Sequence, residues 1–141
     1  MTDSYELVRF VVDQDANGTY ERAVDELRRA RKATHWMWFV FPQIAGLGRS
    51  ATSRRYAISS LDEAQAYLEH PVLGPRLREC AGIVAQSQEQ SVDRIFGSID
   101  AMKLQSSMTL FLRAAPDEPV FQQVLDKYFS GDADSATDER L

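Results

Sequence analysis

Apolar positions recur at helical spacing along almost the whole chain. Leu7, Phe10 and Val11 open the pattern. After a break at Asn17-Gly18, Tyr20, Ala23, Val24 and Leu27 repeat it as i, i+3, i+4 and i+7, with Thr19 placed to cap that helix. Ser60-Leu61-Asp62-Glu63 has the form of a capping box, in which a hydroxyl and a carboxylate satisfy the free amides of a helix start. A helix should open there and run towards His70 with Leu61, Ala64 and Leu68 inward. His70, before Pro71, is expected in the turn that leads through Gly74 and Pro75. Leu73, Leu77, Cys80, Ala81 and Val84 then give the cleanest apolar stripe in the chain, which makes Cys80 a core residue.

Further on, Ser91 suits the cap of a short helix ending at Gly97. Asp100 suits the cap of the next helix, which should reach about Ala115 before Pro116. Phe121, Val124, Leu125 and Tyr128 share the face of a last helix ending near Gly131. Two stretches depart from the pattern. Trp36-Met37-Trp38-Phe39-Val40-Phe41 lacks alternation, but Thr34 as cap and Pro42 as terminator favour a helix over a strand. The segment from Pro42 to Ser50, with Gly46 and Gly48, must be loop. No succession of alternating strands occurs. The expectation is an all-α fold: a single compact bundle of about seven to nine short helices spanning residues 1–141. Residues 132–141 are expected to form a loosely held acidic tail, with one turn begun at Thr137.

Composition narrows the function classes. The 141 residues are 44% hydrophobic and 26% charged, ordinary values for a globular domain. The longest apolar run is six residues, against roughly 20 for a membrane span, and the start of the chain has no leader pattern. A cytoplasmic location without a membrane partner is expected. The net charge of −5 argues against a nucleic-acid partner held by phosphate neutralisation. Charge is nevertheless segregated. Residues 22–55 carry Arg22, Arg28, Arg29, Arg31, Lys32, Arg49, Arg54 and Arg55 against Asp25 and Glu26, whereas the end from Asp117 onward is acidic. Such a chain can bind a small anion locally while being acidic overall, although solvated charged faces explain the same pattern.

Candidate chemistry gathers in two runs. In the first, Arg31, Lys32, His35, Trp36 and Trp38 fall within eight residues and are followed by Gln43 and a glycine-containing loop. Aromatic faces, cationic side chains and loop amides are the parts of a site for a flat anionic ligand. The same tryptophans serve equally as core anchors, and the basic pair as a solvated helix end. In the second run, Leu104, Met108, Phe111 and Ala115 form a core stripe, while Asp100, Lys103 and Ser107 form a polar line beside it. That line suits a pocket wall or an internal hydrogen-bond network. Arg54, Arg55 and Tyr56 could line an anion site, and Ser50, Ser106 and Ser107 are available hydroxyls outside any nucleophile motif. Two histidines and one cysteine without ligand spacing leave no expected metal site, and the absence of a Walker or G-x-G-x-x-G motif leaves no expected nucleotide cofactor.

The run from Ala30 to Gln43, the stretch His70-Pro71-Val72-Leu73-Gly74-Pro75-Arg76-Leu77, and the segment from Ile95 through Phe111 resemble the signature stretches of the DUF1810 family. Gly46-Leu47-Gly48 and the residues from Tyr56 to Leu61 also fit. The resemblance departs at Ala30, where a glycine is expected, and at Ala33-Thr34, where a serine is expected. It implies a small helical domain and carries no established activity. It also implies that both runs matter for more than packing, and so favours one shared pocket. On this reading Arg31, Lys32, His35, Trp36, Trp38, Gln43, Lys103 and Ser107 bind a small anionic, nucleotide-like or phosphorylated ligand. His35 and Asp100 are the candidate acid–base pair if the protein is an enzyme. The alternative is a non-enzymatic protein–protein interaction module that docks through residues 28–55 or the acidic tail. Oligomeric state is left open.

Overall fold

The computed structural model describes residues 3–141 and is all-α, in agreement with the periodicity. Helix α1 (Val8–Asp15) passes through a 3-10 turn (Ala16–Gly18) into α2 (Thr19–Arg28). The short α3 (Met37–Val40) and α4 (Ala51–Arg55) follow, then α5 (Leu61–Glu69) and α6 (Leu73–Gln86). A single-turn α7 (Val92–Phe96) leads into the long α8 (Ser98–Ala114), and α9 (Pro119–Tyr128) and α10 (Ser135–Asp138) complete the chain. α8 packs against α5, α7, α9 and α10, while α6 packs against α2, α5 and α9.

Local signals act where short-range chemistry decides. The Ser60 and Ser91 hydroxyls accept the amides of Glu63 and Arg94, as caps should. Glu63 completes the box differently: its carboxylate takes the amide and hydroxyl of Ser59 and an ion pair with Arg9 at 2.9 Å. His70 is the turn residue expected, its Nδ1 accepting the amides of Val72 and Leu73. Cys80 is wholly buried, and burial pushes its thiol up to about 12.

Three local expectations are corrected, those for Thr19, Thr34 and Asp100 as helix caps. Gly18, with φ of 67°, precedes α2, and Thr19 is its first residue, its hydroxyl turned back onto the Ala16 carbonyl. α3 begins at Met37, and the Thr34 hydroxyl bonds Glu26 instead of capping it. Gly97 precedes α8, which places Asp100 inside the first turn and frees its carboxylate for longer-range partners. The C-terminal segment is tied down along α8. Asp134 caps α10, its amide donates to Thr109 Oγ1, Gln105 donates to the Asp132 carbonyl, and Arg113 makes a two-pronged pair with Asp138.

The core is one contiguous apolar cluster. Trp36, Phe41 and Phe96 pack in one part of it, and Phe10, Tyr56, Tyr67, Phe111 and Phe121 run through another. Among the described residues there is no strand. A single parallel bridge joins Ile44 to Ile58 through Ala45 N to Ile58 O (2.8 Å) and Ile58 N to Gln43 O (2.9 Å). That bridge closes the excursion carrying α4 into a loop whose ends are fixed in the core. Arg9 fastens its return, donating to the carbonyls of Arg55 and Ala57.

Candidate functional site

The geometry of the first run starts at the end of α2. Ala30 adopts φ of 55°, the amide of Ala30 bonds Leu27 O, and that of Arg31 bonds Glu26 O, which together make a Schellman termination. The Glu26 side chain then organises the residues beyond. Its two oxygens accept the amides of Ala33 and Thr34, the Thr34 hydroxyl and the Trp36 indole N–H, at 2.6–3.0 Å. Burial alone would raise the Glu26 carboxyl, but these donors outweigh it and hold the group at about 2. Trp36 is therefore a core residue whose polar edge is already satisfied.

The second run comes to meet the first. Lys32 donates from its backbone to Ile95 O at 2.7 Å, and its side chain is only 8% exposed. Its ammonium lies 3.0 Å from Asp100, donates to Thr34 O at 2.6 Å and sits over the Trp36 ring. Lys103 pairs with the other oxygen of Asp100 at 3.4 Å and stands 4.5 Å above the ring of Trp38. Two ammonium groups thus share one carboxylate beside a half-buried tryptophan.

A two-lobed cleft opens at this point. One lobe, of about 140 Å³, is lined by Trp38, Gln43, Gly46, Ser53, Arg54 and Tyr56 among others. The other, of about 270 Å³, lies between Leu47 and the α8 residues Ile99, Met102, Lys103 and Ser106, with Asp134 at its wall. Gln43, Gly48 and Ser53 belong to both lobes. Gly48 is required by close approach, since a Cβ there would overlap the Ser53 side chain. Among the described residues, the backbone amides of 46–50 donate to nothing, and the Arg54 guanidinium makes neither ion pair nor hydrogen bond.

The structure distributes the sequence candidates as follows. Trp38, Gln43 and Lys103 line the cleft, and so does Arg54. Asp100 and Lys32 stand behind Lys103 as its electrostatic support. Trp36 and Ser107 are fully buried, and Ser107 Oγ has no hydrogen-bond partner among the described residues. Arg31 and His35 are exposed and do not line the cleft. The oxygens of Asp100 are taken by the two lysines, with no contact to His35. Among the described residues no group of three His, Cys, Asp or Glu side chains is arranged to hold a metal. Sequence reasoning missed Ser53 and Asp134. The Asp134-x-x-Thr137 spacing is a helix-cap signal that marks Asp134 as a fixed carboxylate, but nothing local says which cleft it borders.

A family model described as a protein of unknown function (DUF1810) matches residues 4–141. The chain is also similar to the crystal structure of the conserved hypothetical protein Rv1873 from Mycobacterium tuberculosis. The two are 52% identical, the match covers 99% of this chain and 98% of that one, and the TM-score is 0.95. No curated protein matches.

Proposed function

The chain belongs to the DUF1810 family, whose description names no activity, and we propose from the cleft alone that it binds a small anionic ligand, phosphorylated or nucleotide-like. The observation that carries this reading is the sharing of Asp100 by Lys32 and Lys103, with Lys103 held over Trp38 at the edge of the cleft. A partly exposed ion pair contributes about 0–1 kcal/mol and a cation–π contact about 0.5–1 kcal/mol. A charge-assisted hydrogen bond from the same ammonium to a phosphate or carboxylate is worth about 1.5–3 kcal/mol, enough to redirect Lys103 to a ligand. Arg54 and the undonated loop amides supply further contacts without breaking existing ones. The adjoining volumes suit a compact ligand at the lower end of the roughly 300–1,000 Å³ of small-molecule sites.

A thermal-shift comparison of the wild type and Lys103→Ala against inorganic phosphate, sugar phosphates, nucleotides and small carboxylates tests this. Saturation at 100 times Kd adds about 2.7 kcal/mol, roughly 5–10 °C for a chain of this size. The expected result is a shift in the wild type that the folded variant lacks. No shift across the panel overturns the reading.

The interaction-module reading draws on one observation, the exposure of Ile99 (71%) and Met102 (69%) on α8. It expects a bound protein partner that the double substitution Ile99→Ser, Met102→Ser releases, together with silence in the ligand panel.

A further inference from the structure

The cleft differs in chemistry from one end to the other, and the difference specifies more than an anion. Asp134 lines the α8 lobe. Its backbone is pinned by the bond to Thr109 Oγ1 at 2.8 Å. Its Oδ2 accepts Thr137 Oγ1 at 2.6 Å and Thr137 N at 3.1 Å, and Ser106 Oγ stands 3.1 Å from it, its one proton shared with the Met102 carbonyl. Its Oδ1 takes no hydrogen bond and its carboxylate no ion pair among the described residues. This is a rigidly held acceptor with one oxygen to spare, a geometry that rewards a donor and repels a second anion. A cationic donor is disfavoured in turn by Lys103, which lines the same lobe. Neutral hydroxyls remain. In the other lobe Arg54 brings positive charge, its guanidinium free of ion pairs and hydrogen bonds among the described residues, and the undonated loop amides bring donors beside the Ser53 and Tyr56 hydroxyls. Gln43 stands where the lobes meet, and among the described residues no carboxylate lines the Arg54 lobe.

We infer that the cleft takes a phosphate monoester of a polyhydroxylated sugar, phosphate at the Arg54 lobe and hydroxyls on Asp134, the chemistry of ribose 5-phosphate. The same ribose and 5′-phosphate occur in free sugar phosphates and in 5′-mononucleotides. The inference narrows the ligand-binding reading above and rests on it. The spare Oδ1 discriminates against an analogue that lacks the hydroxyl seated on it, the 2-hydroxyl in this placement, because the ligand then leaves the fixed acceptor unpaired.

Calorimetric titration at fixed ionic strength tests it with ribose 5-phosphate, 2-deoxyribose 5-phosphate, ribose 1,5-bisphosphate and adenosine 5′-monophosphate, against the wild type, Arg54→Ala and Asp134→Asn. Asparagine keeps a helix-cap acceptor but turns the spare oxygen into a donor, so the fold is retained. In the wild type, ribose 5-phosphate binds about tenfold tighter than its deoxy analogue and tighter than the bisphosphate. In Asp134→Asn both preferences fall to within about threefold, while Arg54→Ala weakens every phosphorylated probe alike. A wild type that binds the deoxy compound equally well, or the bisphosphate more tightly, overturns the inference and leaves anion binding standing. A wild type that binds none of the four probes overturns the inference, and silence with inorganic phosphate as well removes the anion reading with it. Should Asp134→Asn fail to fold, the wild-type comparisons decide alone. Tighter binding of adenosine 5′-monophosphate than of ribose 5-phosphate supports the inference with a nucleotide as the source, and weaker binding supports it with a free sugar phosphate.

Discussion

The Glu26 carboxylate accepts the indole N–H of Trp36 at 2.9 Å inside the core, and this one bond separates the roles of the two tryptophans. Trp36 is turned inward and polar-satisfied, while Trp38, two residues on, is left at the cleft under Lys103. An ionised carboxylate is tolerated in the core because four donors converge on it.

Glu26 makes stability depend on acid pH. Its folded-state value, about 2, lies below the ordinary 4.5, so the stability it contributes is fully present above about pH 4.5 and is lost as pH falls towards 2. The difference corresponds to about 3 kcal/mol. Urea unfolding of the wild type should lose that much between pH 5 and pH 2 beyond what Glu26→Gln loses. The variant should already be about 2–4 kcal/mol less stable at pH 7, because its amide group meets donors with a donor. Parallel pH profiles would refute the assignment.

Ala30 occupies a left-handed position, φ 55°, at the end of α2. A Cβ there costs about 1–2 kcal/mol, partly offset by the lower unfolded-state entropy of alanine relative to glycine. Ala30→Gly should therefore stabilise the protein by about 0.5–1 kcal/mol, visible as a higher urea midpoint at unchanged slope. A lower midpoint would show that the alanine methyl packs usefully.

Gly74 behaves in the opposite sense. A Cβ there would overlap the backbone carbonyl of Leu68, which cannot rotate away as a side chain could. Gly74→Ala should cost about 3 kcal/mol or more by forcing α5 and α6 apart. Gly82, on the same helix with nothing near its Cβ position, is the internal control and should tolerate alanine.

The C-terminal segment contributes to stability. Deleting residues 132–141 removes the bonds of Asp134 to Ser106 and Thr109, the bond from Gln105 to the Asp132 carbonyl, and the Arg113–Asp138 pair. Three hydrogen bonds at about 1 kcal/mol each, with little from the exposed pair, give an expected loss of about 3 kcal/mol. A change under about 0.5 kcal/mol by chemical denaturation would restore the view of a loose tail.

The candidate site was partly legible. Lys103, Trp38 and Gln43 stand out because cationic, aromatic and amide groups are unusual beside apolar stripes; Trp38 lines one lobe, Lys103 the other, and Gln43 both. His35 and Ser107 looked equally suitable by type. His35, in the bend before α3, faces solvent, and Ser107, on α8, is enclosed, a difference set by the path of the chain and the packing of α8 that residue type does not encode. Asp134 escaped notice because a run of acidic residues reads as solvated, whereas its use depends on Ser106 and Thr109 of α8 lying alongside.

Helical class, the caps at Ser60 and Ser91, the His70 turn and the core position of Cys80 follow from the sequence by itself, since each depends on neighbours within about one or two helical turns. Tertiary structure alone decided that Lys32 and Lys103 share Asp100, that Trp36 is spent on Glu26, and that the loop through Gly48 faces α8 across a cleft. Those relationships join residues far apart in the chain. They are chosen by how helices pack to bury the common core, and side-chain type at any one position leaves that choice open.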